Sequence, residues 1–521
     1  MNPARVLCAA VSILALSACN NKYEPGEFDE VMGISMGSVR NAVAVRLDSM
    51  KPPSFVPESR WKRVRALYAR WDNAPLWLEP DGVRDRANAL LKALEEAPTH
   101  ALSTEAYPLD SIRLVVNAED LEENTTPEKL AAADVMLTTA YVAYATDMLM
   151  GQVDPKTVSQ AWHIPTRMSE VDSALVLSLQ SPDMAQGLAQ MAPQDSGYVV
   201  LRREFARYKQ IVAAGGWPQV TGSGDAAKAI ALTRLKAEGL PADSGFGTDS
   251  VIKLYQERHG LTINGKLDAG TLRALNVPAE ERAKQIGTNL ERYRWLPRTL
   301  GQRYVVVNVP AFRLEAFNNG QKELEMKTVV GSEFEGRSTP VFSDSMEYVV
   351  FRPYWNVTPT IAREEFFPKY GQNLPEGYEF WSEGGVQRIR QRPGEKNSLG
   401  LVKFMFPNSF NIYLHDTPAK SLFKLADRAA SHGCIRLEKP DKLAEWVLGW
   451  DNGQVQAAMH GSNNRTVRLP AKIPVYIIYL TAYERDGHLH FGDDLYDRDE
   501  AVEQKMDSTK VPVGAVKTSA E

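Results

Sequence analysis

FRLEAFNNGQKELEMKTVV, residues 312–330, is where the chain changes period. Phe312, Leu314 and Ala316 alternate with Arg313 and Glu315, and beyond Asn319-Gly320 the residues Leu324, Met326, Thr328 and Val330 alternate again. A period of two places one set of side chains on one face of a strand. Asn-Gly supplies the positive φ angles of a type I′ turn, so the stretch predicts a β-hairpin. Strand-like runs continue at Tyr348 to Phe351, Lys403 to Phe406, Ile412 to His415 and Val475 to Tyr483. Residues 300–490 therefore read as one β-rich domain.

Upstream of the hairpin the period is helical. Val83, Ala87, Leu90, Leu91 and Leu94 recur at helix spacing between Gly82 and Pro98, and Ala131 to Met150 predicts a longer helix stopped by Gly151. That helix is apolar enough to resemble a membrane span. Asp134 and Asp147 lie inside it, however, and Tyr141 and Tyr144 sit mid-helix, so it reads as the buried helix of an all-α domain, residues 59–224. Residues 225–280 form a compact unit. Its sequence GFGTDSVIKLYQERHGLTINGKLDAGTLRALN, 245–276, alternates short helices with turns at Gly260-Leu261 and Asn264-Gly265. Residues 19–58, with Pro25, Pro52, Pro53 and Pro57, read as an irregular tether, and 498–521 as a charged, solvated tail. No period of 20 to 50 residues repeats, which excludes a solenoid. The fold class is α+β, multidomain.

Composition bounds the function. The 521 residues carry 60 Lys and Arg against 65 Asp and Glu, a net charge of −5 with no long basic run, which excludes a dedicated nucleic-acid binder. Three cysteines, Cys8, Cys19 and Cys434, exclude a disulfide scaffold and a four-cysteine zinc site. The opening MNPARVLCAAVSILALSACN has Arg5, an apolar run from Val6 to Leu16 and then small residues, the pattern of a signal peptide over 1–18. Leu16-Ser17-Ala18-Cys19 resembles the bacterial lipobox, which makes Cys19 the expected lipidation site. The alternative is ordinary cleavage beside an incidental cysteine. Either way the chain is expected to be exported, at the periplasmic face of the envelope and in contact with membrane only through a lipid anchor. Asn20 leans toward the outer membrane.

The chemistry concentrates in NIYLHDTPAKSLFKLADRAASHGCIRL, residues 411–437, which holds His415, Ser431, His432, Gly433, Cys434 and Arg436. A thiolate is a good nucleophile when a base or a positive environment keeps it deprotonated, and a nearby histidine serves both ends. Gly433 permits a tight turn that aims backbone N–H groups at a developing oxyanion. The motif resembles that of the L,D-transpeptidases with a YkuD-type catalytic domain, where a His is followed some fifteen residues later by Ser/Thr-His-Gly-Cys. Arg436 stands where many small members have Asn. This matches the large YcbB-like subgroup, as do FRPYWNV at 351–357, RQRPGEKNSLGLVKFMFPN at 390–408 and NLERYRWLPR at 289–298. Several YcbB-like proteins carry Ser at the position of His432, which makes His415 the better candidate for the base.

The resemblance implies an all-α scaffold domain, a peptidoglycan-binding module over 225–280, and a capping insertion over about 364–400. It implies that Cys434, activated by His415 with His432 beside it, attacks the third residue of a donor tetrapeptide stem, diaminopimelate, and releases D-Ala. The side-chain amine of an acceptor diaminopimelate then resolves the thioester into a 3→3 cross-link. Gly433 and Cys434 would supply the oxyanion hole, Asp416 would orient the imidazole through its carbonyl, and Ser431 is grouped with these oxyanion and orienting residues. Arg436, Tyr413 and Trp355 would bind substrate. Carbapenems would acylate Cys434, and no cofactor or metal is implied.

Other readings rest on other features. The same thioester resolved by water would make a carboxypeptidase or hydrolase of stem peptides, and residues 225–280 alone would serve a non-catalytic wall-binding lipoprotein. His488 and His490 share a strand face and could form half of a zinc site, although no third ligand is well spaced. GSEFEGRS, 331–338, approximates a phosphate-binding loop, but Thr339-Pro340 and a strand come next, where such a loop must open a helix.

Overall fold

The computed structural model describes residues 25–49, 51, 56–83, 85–117, 125–165, 168–222, 224–242, 245, 247–333 and 337–508. The signal segment and Cys19 lie outside the described residues. The chain divides into two compact units. One comprises the described residues up to Ala93 with Asp110–Val142 and Asp172–Ala189; the other comprises Leu94–Leu109, Ala143–Val171 and the chain from Gln190 onward.

The first unit corrects the tether expected over 19–58. Helix α1 (Met36–Ser49) buries Met36, Val39, Val43 and Leu47. Their spacing of three to four residues makes one apolar stripe, and the prolines on either side only bracket it. Helix α2 (Glu58–Arg70) buries Trp61, Val64, Leu67 and Tyr68. Helices α3 (Asp85–Glu96) and α4 (Pro127–Met150) stand where the apolar periodicity placed them. The acid inside α4 has its partners: Asp134 accepts from the Tyr68 hydroxyl at 2.5 Å and from the backbone N–H groups of Leu76 at 2.9 Å and Trp77 at 2.8 Å. A buried carboxylate is tolerated when its oxygens are filled in this way. Among the described residues no helix is long and apolar enough to cross a membrane.

In the second unit, α5 (Ser196–Ala213) precedes three short helices, α6 (Gly224–Ala237), α7 (Thr248–Arg258) and α8 (Ala269–Leu275). These three share a small core of Val220, Ala231, Leu235, Ile252, Tyr255 and Leu275. The Gln256 side chain closes their Asn264-Gly265 turn, accepting from both backbone N–H groups at 2.9 and 2.8 Å. Helix α9 (Ala279–Trp295) comes next and buries even Glu291, Arg292 and Arg294; Arg294 pairs with Glu291 at 2.5 Å. Arg292 pairs with Asp499, the first residue of α10 (Asp499–Ser508). The solvated tail expected from residue 498 is thus a docked helix at its start: Val502 is buried and Asp499 also accepts from the Thr481 hydroxyl at 2.6 Å. One buried apolar residue and one buried acid leave little periodicity to read.

The β domain contains β1 (Arg303–Asn308), β2 (Arg313–Asn318), β3 (Gln321–Gly331), β4 (Phe342–Phe351), β5 (Trp355–Asn356), β6 (Tyr378–Glu383), β7 (Val386–Gln391), β8 (Val402–Met405), β9 (Leu414–His415), β10 (Ala429–Ser431), β11 (Ile435–Leu437) and β12 (Arg465–Ile478). A β13–β14 hairpin (Ala482–Arg485, His488–Phe491) completes it. The predicted hairpin is β2–β3, with Asn319 at φ 49° and Gly320 at φ 77°. One sheet runs β10-β3-β11-β9-β8-β4-β12-β1-β2, and β2 pairs back with β3, so it closes on itself around an apolar core. Closure leaves few open edges. Strands β6, β7 and β5 form a separate three-stranded sheet, over its own cluster of Val357, Ala362, Phe366 and Ile389. The insertion therefore begins at about Trp355, earlier than the 364 expected.

Asp134→Ala would strand the Tyr68 hydroxyl and two buried N–H groups, an expected loss of about 3–5 kcal/mol. A lowered midpoint in urea unfolding of the full chain checks this; an unchanged midpoint contradicts it.

Candidate active site

Two strands bring the motif together. Leu414 pairs with Ile435 and His415 with Arg436 in the parallel ladder of β9 and β11, and the Ile435 N–H donates to the Tyr413 carbonyl at 3.2 Å. Side chains alternate along a strand, so Tyr413, His415, Cys434 and Arg436 share one face. On the other side of β9, Lys403 of β8 pairs with His415. Lys403, His415 and Arg436 thus form a row across three adjacent strands. Lysine in a strand carries no signal of its own, and Lys403 is a site residue that sequence reasoning does not reach.

The turn before the thiol is tied from both sides. Gly433 has φ 106°, a conformation that disfavours a side chain, and a Cβ there would lie 3.2 Å from Ile412 Cδ1. Ser431 donates its hydroxyl to the Cys434 carbonyl at 2.6 Å and accepts from the Gly433 N–H at 3.2 Å. Thr339 donates to the Gly433 carbonyl at 2.9 Å. The Gly433 N–H, expected in the oxyanion hole, is thereby engaged by Ser431. The Cys434 N–H has no hydrogen-bond partner among the described residues and is the backbone donor left at that turn.

His415 is buried, and its Nδ1 lies 2.5 Å from the Asp416 carbonyl. A carbonyl only accepts, so Nδ1 carries the proton and Nε2 keeps its lone pair. Burial, then repulsion from Arg436, Lys403 and Lys420, lowers the imidazole pKa to about 3, against which the Asp416 carbonyl works. The ring is therefore neutral near pH 7, an acceptor at Nε2. The Asp416 carboxylate stays clear of the ring: it accepts from the Leu401 N–H at 2.8 Å and from Lys420 at 2.7 Å. Gly400, at φ 61°, makes room for it, since a Cβ there would sit 2.2 Å from Asp416 Oδ2.

Burial raises the Cys434 thiol, and hydrogen bonds from the Tyr413 N–H and hydroxyl, with the charges of Arg436 and Lys403, pull it back down. The thiol also lies 3.7 Å from the Asn411 carbonyl. The Arg436 side chain makes no ion pair or hydrogen bond among the described residues, and its Nε is buried without a partner.

Two expected site residues sit elsewhere. His432 is exposed, and its Nε2 lies 2.6 Å from Glu365 of the insertion. No hydrogen bond joins it to Cys434 among the described residues; successive residues at a tight turn point apart. Trp355 packs edge-on against Phe366 and Tyr378 at 6.2 and 6.3 Å, inside the insertion's own cluster. Arg337 reaches Glu365 as well, at 3.5 Å. Residues 334–336 of the loop-like GSEFEGRS lie outside the described residues, and beyond Arg337 the chain enters β4 rather than a helix. Around His488 and His490 no group of three metal-ligating side chains forms among the described residues.

The depressed His415 gives a testable pH dependence. Unfolded, the ring binds a proton below about pH 6.5; folded, it does so only near pH 3. The unfolded state binds more protons between these values, so this group contributes stability that is lost as pH falls through that window. His415→Gln should flatten the unfolding free energy between about pH 4 and 6 by up to about 1.4 kcal/mol per pH unit. Urea titrations across that range check it, and parallel curves for both proteins would contradict it.

Residues 62–205 match the family model of a scaffold domain, and residues 302–477 match that of the YkuD L,D-transpeptidase catalytic domain. A Haemophilus influenzae protein named "Putative L,D-transpeptidase" is 29% identical over 243 residues, 42% of this chain and 49% of that protein. The chain thus spans about half the length of this curated relative. A crystal structure of the L,D-transpeptidase from Xylanimonas cellulosilytica aligns over 50% of this chain and 97% of its own, with 16% identity and a TM-score of 0.17. Cys434, His415 and Arg436 all lie within the stretch that matches the YkuD L,D-transpeptidase catalytic domain, and the stretch that matches a scaffold domain precedes it.

Proposed function

We propose that the protein is a peptidoglycan L,D-transpeptidase that forms 3→3 cross-links through a Cys434 thioester. The observation that carries this reading is the shared sheet face: one thiol, one neutral imidazole with its Nε2 lone pair available, and two cations without carboxylate partners among the described residues. Cys434 loses its proton to His415 Nε2 and attacks the diaminopimelate carbonyl of a donor tetrapeptide stem. The oxyanion is met by the Cys434 N–H. The C–N bond to D-Ala breaks as His415 returns the proton to the leaving amine. The acceptor amine of a second diaminopimelate then attacks the thioester, again losing a proton to His415, and Cys434 departs as thiolate.

The other parts of the chain fit this chemistry. A guanidinium with a buried, unpartnered Nε suits the carboxylate of a stem peptide, which Arg436 would hold in two-pronged fashion. Tyr413 lines the cleft beside the sulfur. The insertion touches the nucleophile turn through Glu365 and His432 and would exclude water, which favours the amine over hydrolysis. The three-helix unit at 224–275 would hold the wall, and Cys19 would anchor the exported chain by lipid. No metal or cofactor enters the scheme.

Incubation with purified tetrapeptide muropeptides and mass analysis tests this reading: dimers that have lost D-Ala are expected, while shortened monomers alone would make the enzyme a hydrolase. Cys434→Ala should abolish the dimers, and His415→Ala should lower the rate about 10²–10⁴-fold. His432→Ala should leave most of it. A carbapenem should add one adduct at Cys434, and an adduct elsewhere would overturn the assignment.

A further inference from the structure

We propose that Lys403 is a positioning residue for the nucleophile, a fixed cation on the neighbouring strand that lowers the cost of ionising the Cys434 sulfur. The proposal rests on Cys434 being the nucleophile.

Three observations carry it. First, the register of β8, β9 and β11 aligns Lys403, His415 and Arg436 across the sheet, so the lysine stands on the thiol's face. Its ammonium lies 5.5 Å from the centroid of the Tyr413 ring, whose hydroxyl hydrogen-bonds to the Cys434 sulfur. Second, the Lys403 side chain is half-buried and makes no ion pair or hydrogen bond among the described residues. A cation taken from water without a carboxylate is costly unless another anion answers it. Burial lowers the Lys403 pKa, and the one group that works against this is Cys434. Third, His415 cannot supply the countercharge. Two cations flank the imidazole, and an imidazolium between them would be repelled from both sides. A thiolate in this site is therefore balanced by Lys403 and Arg436, while the histidine moves the proton.

Among the described residues, the charged and titratable groups that face the sulfur are Lys403 from β8, Tyr413 just before β9, His415 from β9, and Arg436 from β11. Asp416 and Lys420, just past β9, pair with each other at 2.7 Å, so neither takes Lys403 as partner.

The test reads the thiol directly and needs no turnover. Full-length protein is alkylated with iodoacetamide, a neutral reagent, across about pH 6 to 10.5. Mass analysis of the peptide that contains Cys434 gives the rate, with Cys434→Ala as the blank. Lys403→Met and Lys403→Gln should each move the alkylation midpoint up by about one pH unit. Lys403→Arg, which keeps the charge, should leave it within about 0.3. Unchanged midpoints in both neutral variants would overturn the proposal, as would an arginine variant displaced as far as they are. A rise in KM for the donor stem with an unmoved midpoint would also overturn it, by assigning the lysine to the substrate carboxylate. If either neutral variant fails to fold, the other and Lys403→Arg still decide. An inactive wild type with the expected midpoints would refute the transpeptidase reading alone.

Discussion

The register between β8, β9 and β11 is the constraint on which the site depends, and apolar burial sets it. Phe404 pairs with Leu414, Leu414 pairs with Ile435, and all three are fully buried on the inner face of the closed sheet. The outer face of the same strands carries Lys403, His415 and Arg436. A slip of one residue would push the polar row into the core and the apolar row out of it. Each of those apolar side chains contributes about 1.5–3 kcal/mol of burial. The inner row thus holds the outer one in place, and the cleft needs no contacts of its own to align the base, the thiol and the arginine.

That alignment sets an unusual electrostatic arrangement. In a thiolate–imidazolium pair the histidine is itself the countercharge. Here the histidine is buried among cations and neutral, so the positive charge resides on two side chains that do not give up their protons in the reaction. Charge that appears in the reaction, on sulfur or on the oxygen of a tetrahedral intermediate, is negative at both places. A site whose fixed charges are positive stabilises both without reorganising. The imidazole is left to shuttle a proton between groups, and the Asp416 carbonyl fixes the tautomer that permits it.

What is encoded locally is legible in the sequence. Asn319-Gly320 dictates its turn through backbone conformation alone, and the β2–β3 hairpin results from the alternation beside it. Cys434 and His415 stand out in the sequence because few residue types can serve as nucleophile or base, and the strand register then places them on one face. The sheet order is not legible, since Val475 pairs with Val305 across a span that leaves no periodic trace. Lys403 escapes notice because a lysine in a strand ordinarily faces water, and only the pairing with His415 gives it meaning. His432 misleads by adjacency: two positions from the thiol in the chain, it turns to Glu365 of a segment about seventy residues earlier. Helices α1 and α10 are hidden by prolines and by charge, which outnumber the few apolar positions that dock them.

Burial and reactivity oppose each other at Cys434, and the opposition has a use. The thiol is raised by its surroundings, so at rest the sulfur is largely protonated. The protonated form is slow to attack and equally slow to oxidise, because thiolate is the reactive species in both. Water screens the attraction between the sulfur and the cations beside it. A ligand that fills the cleft removes that screening, and the same charges then act at a lower effective dielectric. Arg436 gains more from this than a titratable imidazolium would, because a guanidinium does not hand its proton to the thiolate it is meant to stabilise. The site is therefore quiet when open and strongest when occupied, a property that comes from placing the charge on Lys403 and Arg436 rather than on His415.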